Sequence, residues 1–372
     1  MNFSPIQTPA PRLTGQVPAL NGIRGLAVLL IFLFHADVPG FTGAFIGVDI
    51  FFVISGFLIT VLLLQEYERR ATIHFRHFYM RRVLRLFPAL FFMLSVYLLF
   101  CFGYFTDAAT RIFHLQDTLL VLFYISNWTR AFDLNRPDII GHCWSLSVEE
   151  QFYMLWPLML LGIISLSSRR RSIFIAVMFI LPWIWRIYLL SRGASWPRVY
   201  NGFDCRADML LAGCLLASLW YAGSLSWWGE SRFPASLFAA SAALALAVFG
   251  AAAEWEAPAL YQWQHPIIAL AAGTVILDVI NRPSGALARF FSFPAMVGLG
   301  TVSYGFYLWH YPVIRFVVLN HTGPRAVWLS AALTLFFTLF SWYLIERPAL
   351  GLKKKFNPAP SSKPASIIRS AW

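Results

Sequence analysis

Ten stretches of this chain run for roughly twenty residues with little or no charge, the length of helix that crosses the ~30 Å hydrocarbon core of a bilayer. They fall near 20–37, 45–64, 86–104, 144–166, 172–191, 205–222, 235–252, 263–280, 295–318 and 326–345. Inside a bilayer every backbone polar group must be satisfied within the protein, which leaves helices or a closed barrel. Apolar runs of this length suit helices. Composition agrees: 59% of residues are hydrophobic and 12% are charged, about half the charge of a soluble domain. The 15 Trp and 35 Phe suit aromatic belts at two membrane surfaces. The sequence therefore predicts an all-α, polytopic membrane helix bundle with ten transmembrane helices. One membrane domain covers 1–350, and a basic, Pro/Ser-rich, disordered tail covers 351–372. The segment 112–126, "IFHLQDTLLVLFYIS", is apolar but short and carries Asp117. It reads as a re-entrant or interfacial helix; if it spans instead, the topology below breaks.

Ten spans put both termini on one side, and positive charge says which. The loop 65–85 holds Arg69, Arg70, Arg76, Arg81, Arg82 and Arg85, and the next loop on that side holds Arg169, Arg170 and Arg171. The opposite loops near 38–44 and 253–262 hold no Lys or Arg. Both termini are expected in the cytoplasm. The net charge of +12 follows from such loops, and no basic stripe of the nucleic-acid-binding kind appears. The first apolar run follows a polar leader with no small-residue cleavage site after it, so no cleavable signal is expected. Cys101, Cys143, Cys205 and Cys214 form no CxxC, and no metal site is expected. Cys143 and Cys205 both fall on the outer side, where a disulfide is chemically permitted.

The polar residues inside these runs carry the functional argument, because a charge in a spanning helix faces the bundle interior by default. Arg24 and His35 are eleven residues apart, close to three helical turns. They share a face and are separated by about 16 Å along the axis. One face thus carries a permanent cation at its inner end and a proton-transfer group at its outer end. The alternative is a snorkelling Arg24 and a capping His35.

Other outer ends add to this. Asp49 opens the second run, Trp144, Ser145, Ser147, Glu149 and Glu150 open the fourth, and Asp204, Arg206 and Asp208 open the sixth. Glu149 and Glu150 point about 100° apart, so one of them faces the core. Arg206 and Asp208 alternatively form a structural ion pair. A histidine within reach of carboxylates suits general base catalysis, the carboxylate orienting the ring. At the inner side, Arg82 and Arg85 share a face beside Arg81, and arginine forks suit phosphates. His310 lies mid-span and reads as a packing residue. Glu346 and Arg347 read as a helix-terminating ion pair. Trp144 and Tyr200 are either sugar-stacking platforms or belt aromatics.

Taken together, these motifs resemble integral-membrane acyltransferase family 3, the O-acyltransferases of surface polysaccharides. The match is ordered: Arg24 to His35, then "GVDIFFVISGFLI", "FYMRRVLRLFP", "WSLSVEEQFY", "RADMLLAG", and "VSYGFYLWHYP" with "IERP". It covers about 18–350. The appended SGNH hydrolase-like domain of some members is expected to be absent. The resemblance implies an integral protein of the bacterial cytoplasmic membrane. It implies acyl-CoA, most simply acetyl-CoA, as donor, its phosphates meeting Arg81, Arg82, Arg85 and Arg24. It implies a glycan or glycoconjugate acceptor on the outer side, with Trp144, Ser145, Ser147, Glu150, Arg206 and Asp208 toward substrate. His35 is then the general base, oriented by Glu149 or Asp49. An acyl-enzyme on Cys143 or Ser145 is the lesser route. The other functional class with these features is a transporter, which also has intramembrane charges around a central polar site.

Overall fold

The apolar runs fold as helices, and no strand occurs among the described residues. The computed structural model describes residues 17–134 and 137–352, with Leu13, Gly15 and Phe356. Most of the tail expected at 351–372 lies outside them. The helices are α1 (Pro18–His35), α2 (Gly47–Arg70), α3 (Phe75–Tyr104), α4 (Ala108–Leu122), α5 (Ser126–Ala131), α6 (Trp144–Ile163), α7 (Ser168–Ser191), α8 (Trp196–Asn201) and α9 (Phe203–Tyr221). They continue with α10 (Trp227–Glu230), α11 (Arg232–Ala252), α12 (His265–Asn281), α13 (Ala286–Phe291), α14 (Pro294–Thr301), α15 (Ser303–Val317), α16 (Gly323–Ser341) and α17 (Arg347–Leu352).

Among the described residues, seven helical stretches are long and apolar enough to cross a membrane: Pro18–His35, Ala44–Arg70, Phe75–Tyr104, Ser168–Ser191, Phe233–Ala252, Leu260–Asn281 and Gly323–Leu352. The chain is an integral membrane protein. The other three expected spans take different forms. α6 carries two carboxylates, and α9 carries Asp204, Arg206 and Asp208. The run 295–318 is interrupted at Val302 between α14 and α15.

The segment 112–126 falls on α4 and the start of α5. α4 has 15 residues, about 22 Å of helix and too short to span. It descends beside α3, with the Tyr97 hydroxyl 2.7 Å from His114 Nδ1. The chain then turns and returns through α5, which packs on α6. Gln151 of α6 supports that turn, donating to the Tyr124 carbonyl at 2.7 Å and to Asn127 Oδ1 at 2.9 Å. Protein groups thus satisfy the irregular backbone at this turn.

Close helix approach sets the register of the polar residues. Gly56 of α2 faces Leu210, and a Cβ there would lie 1.9 Å from the Leu210 carbonyl oxygen. Gly213 of α9 faces Val53, with the equivalent distance 2.1 Å. Small residues let the two backbones meet. Asp49 and Arg206 each precede their glycine by seven residues, two turns along parallel helices, so the contact levels them with each other. Two π-helical segments, Leu260–Gln264 and Trp342–Glu346, re-aim residues at polar sites, a common use of π-bulges.

Candidate active site

At the Arg24 end, a vestibule of about 750 Å³ is lined by Asn21, Arg24, Arg69, Arg85 and Glu346 among others. A chamber of about 150 Å³ continues inward, bounded by Arg24, Arg82, Arg85, Ser55, Glu149 and Tyr307 among others. Arg24, Leu58, Leu62, Arg85 and Tyr304 line both, so the two adjoin. Arg24, Arg82 and Arg85 have no carboxylate at salt-bridge distance among the described residues. Arg82 instead stacks on Tyr153, its guanidinium carbon 3.1 Å from the ring centroid. Three guanidiniums against one carboxylate, Glu149, leave an excess of basic groups around the cavity, which suits an anion.

Arg81 departs from the expected donor set. It pairs with Glu66 at 3.2 Å, donates to the Phe356 carbonyl and does not line the chamber. The expected ion pair of Glu346 with Arg347 is replaced: Glu346 accepts from Ser341 Oγ at 3.1 Å and lines the vestibule. Its π-helical segment turns it inward.

Glu149 is also placed differently from the expectation. It lines the arginine chamber and accepts from Ser55 Oγ at 2.5 Å and from the Tyr153 hydroxyl. Five residues into α6, it sits about 7.5 Å below the helix start. Glu149 therefore does not bond His35. Glu150 is half-buried and does not line the chamber.

The inner floor of the chamber is Ser145 and Tyr307. Tyr307 donates its hydroxyl proton to the His142 carbonyl at 2.7 Å, so the Ser145 hydroxyl, 2.5 Å away, donates to Tyr307. Ser145 thus faces a phenol and no base, unlike an activated nucleophile. One turn along α15, His310 Nδ1 lies 2.6 Å from the Tyr307 carbonyl oxygen, and His310 Nε2 lies 3.0 Å from His35 Nδ1. The expectation of a mere packing histidine misses this pair. The group at hydrogen-bond distance of His35 is a histidine and not the expected carboxylate.

Beyond the chamber wall lies a fully buried charge set. Asp49 accepts from Arg206, whose Nη1 donates to His265 Nε2 at 2.6 Å. Asp208 pairs with Arg186 at 2.8 Å, and Arg186 also donates to the Tyr261 carbonyl at 2.9 Å. All four charged side chains have zero exposure. Arg206 and Asp208 are two residues apart on α9 and point to different neighbours, so the expected pair between them does not form. Asp49 is spent on Arg206, not on His35. Trp144 and Tyr200 are buried, with ring centroids 4.7 Å apart and the Arg206 guanidinium over both. They are walls of this charge set, not platforms at an outer mouth. Ser147 is buried against Ser126, Oγ to Oγ 2.9 Å, fastening α5 to α6.

The four cysteines are free, Cys143 and Cys205 included. Cys143 Sγ is 3.6 Å from His142 Nε2. No group of three His, Cys, Asp or Glu among the described residues is placed to hold a metal ion. Arg186 was a legible signal, a single arginine late in the apolar run 172–191. His142, Tyr307 and His265 acquire their significance only through contacts between helices distant in sequence.

A family model described as an acyltransferase domain matches residues 17–347. The chain belongs to this acyltransferase family. That is the family its ordered motifs resemble. Among curated relatives, the peptidoglycan O-acetyltransferase OatA of Listeria monocytogenes is 34% identical over 348 residues, covering 89% of this chain and 55% of the relative. The putative peptidoglycan O-acetyltransferase YrhL of Bacillus subtilis is 34% identical over 353 residues, with 89% and 54% covered. The O-acetyltransferase OatA of Staphylococcus aureus is 34% identical over 352 residues, with 89% and 57% covered. The chain spans about half the length of the curated relatives it matches. No solved structure matches it.

Proposed function

We propose that this chain is a membrane O-acetyltransferase that carries an acetyl group from acetyl-CoA, bound at the Arg24 end, to a hydroxyl of an envelope glycan at the His35 end. One observation carries the reading. Three arginines with no carboxylate at salt-bridge distance among the described residues line a chamber whose floor residue, Tyr307, is linked through its backbone carbonyl to His310 and so to His35. A CoA thioester matches that layout, with phosphates for the guanidiniums and a narrow arm for the 150 Å³ chamber. The relatives' names supply the acetyl group and a glycan acceptor. The arginine-rich loop between α2 and α3 supports a cytoplasmic Arg24 end.

In this reading His35 Nε2 takes the proton of the acceptor hydroxyl as its oxygen attacks the thioester carbonyl. The carbon–sulfur bond breaks, an ester forms, and the CoA thiolate takes the proton back from His35. Side chains at the Ser145–Tyr307 floor must yield for the thioester to reach His35. No acyl-enzyme is required.

The test uses inverted membrane vesicles bearing wild-type or His35→Ala protein and radiolabelled acetyl-CoA. Wild type transfers label into base-labile ester on glycan, and His35→Ala lowers the rate by about 10²–10⁴-fold at unchanged protein level. Equal labelling by both removes His35 as the base. Labelling in sealed right-side-out vesicles reverses the assigned sidedness.

A further inference from the structure

His310 is completely buried in α15, and its two ring nitrogens have partners that leave little freedom. Nδ1 is 2.6 Å from the Tyr307 carbonyl oxygen. A carbonyl oxygen only accepts, so Nδ1 carries the proton. A second proton on Nε2 would leave a cation unpaired in an apolar interior, since no carboxylate lies at salt-bridge distance of His310 among the described residues. Nε2 is therefore a bare acceptor. It lies 3.0 Å from His35 Nδ1, so His35 Nδ1 must be the donor. A neutral imidazole carries one proton, which leaves the lone pair of His35 on Nε2.

The surroundings hold both rings in place. Tyr311 packs edge-on to His35 with centroids 4.6 Å apart, and Phe34 does the same at 5.1 Å. His142 stands against His310 at 5.1 Å and 80°. Rotating either ring to exchange its nitrogens breaks a hydrogen bond inside this packing.

We propose that His310 is a positioning residue for His35: the chain from the Tyr307 carbonyl through His310 fixes the plane of the His35 ring and the Nδ1–H tautomer, and so frees Nε2 to take a proton. The role assigned to the freed nitrogen rests on the proposed acetyl transfer. The usual partner for a catalytic histidine is a carboxylate, which orients the ring and also stabilises its imidazolium. A neutral ring supplies orientation without the countercharge. Which nitrogen of a histidine is free depends on the bond the other one makes. Losing His310 should therefore scramble the tautomer of His35 while leaving Arg24, Arg82 and Arg85, at the other end of the chamber, in place.

The experiment uses the full chain in lipid nanodiscs, labelled with ¹⁵N-histidine, at a pH where His35 is neutral. The ¹⁵N shifts report the tautomer, and the His35 signals are those lost in His35→Ala. Wild type is expected to show His35 in the Nδ1–H form alone. His310→Leu removes the imidazole acceptor, leaving the Ile31 carbonyl one turn back on α1 as the other acceptor near the ring, and the Nε2–H form appears. His310→Gln restores the Nδ1–H form, because its amide donates to Tyr307 and accepts from His35. Acetyl transfer is read on the same preparations. In His310→Leu, kcat falls about 100-fold with KM for acetyl-CoA within about twofold, and His310→Gln recovers most of it.

An Nε2–H tautomer in wild type overturns the proposal, and so does an unchanged tautomer in His310→Leu. If His310→Leu does not fold, the wild-type and His310→Gln spectra still decide. A correct tautomer in a protein that transfers no acetyl group upholds the positioning and overturns the proposed function. Transfer with the wrong tautomer does the reverse.

Discussion

Two sets of arginines sit inside this bundle under opposite conditions. Arg186 and Arg206 are fully buried, and each is matched to a carboxylate. Arg24, Arg82 and Arg85 are half-buried, and none has a carboxylate partner among the described residues. The physical difference is access. A charge sealed away from water costs several kcal/mol unless it is paired. A charge on a cavity wall is tolerable because water or an anion reaches it. The sealed set therefore links helices α2, α7, α9 and α12, and the open set lines a cavity that an anion could enter. In the sequence both sets look alike, as basic residues in or beside apolar runs.

Four substitutions bear on that contrast, in descending order of effect. Asp49→Ala leaves Arg206 buried without its countercharge and should destabilise the protein by about 3–5 kcal/mol, read as thermal or denaturant unfolding in detergent. Replacing both partners with leucine should recover most of that loss. If Asp49→Ala costs less than about 1 kcal/mol, the sealed set is not structural and the contrast fails.

Arg85→Gln should do the opposite. Acetyl-CoA binding, measured by titration calorimetry, should weaken about 10–100-fold, the value of a charged hydrogen bond, with the unfolding midpoint unchanged. A loss of stability with intact binding would move Arg85 into the sealed class.

Glu346→Gln sharpens the comparison. Glu346 is a carboxylate on the vestibule wall, so neutralising it should tighten acetyl-CoA binding by about two- to fivefold. Removing a carboxylate is thus expected to be harmful at Asp49 and helpful to binding at Glu346.

Arg81→Gln should matter least. Its pair with Glu66 is partly exposed, 18% on the arginine side, and such pairs contribute about 0–1 kcal/mol. Donor affinity should stay within about twofold, and a tenfold loss would return Arg81 to the donor site.

Much of the architecture was legible because its causes are local. Apolar run length predicts helices, and the structure has them. The shortness of 112–126 predicts a segment that does not span, and α4 is too short to do so. The open arginines were legible too, since Arg82 and Arg85 share a helix face and Arg24 lies inside a spanning run. What failed was the pairing. His35, Asp49, Glu149 and Arg206 were expected to converge, yet they fall into three sets. Depth explains part of this, because Glu149 lies one and a half turns below the start of its helix. Helix neighbours explain the rest: α15 brings His310 to His35, and α9 takes Asp49.

The sequence by itself determined that this chain is a helical membrane protein of the acyltransferase family. It also determined that one face of α1 carries Arg24 and His35 three turns apart, because apolar length, helical period and motif order are properties of neighbouring residues. Only the tertiary structure decided which charges are matched, which are left open, and that a histidine holds His35. Those outcomes depend on which helices touch and at what level, and that is set by contacts such as Gly56 against Leu210 between segments more than 150 residues apart.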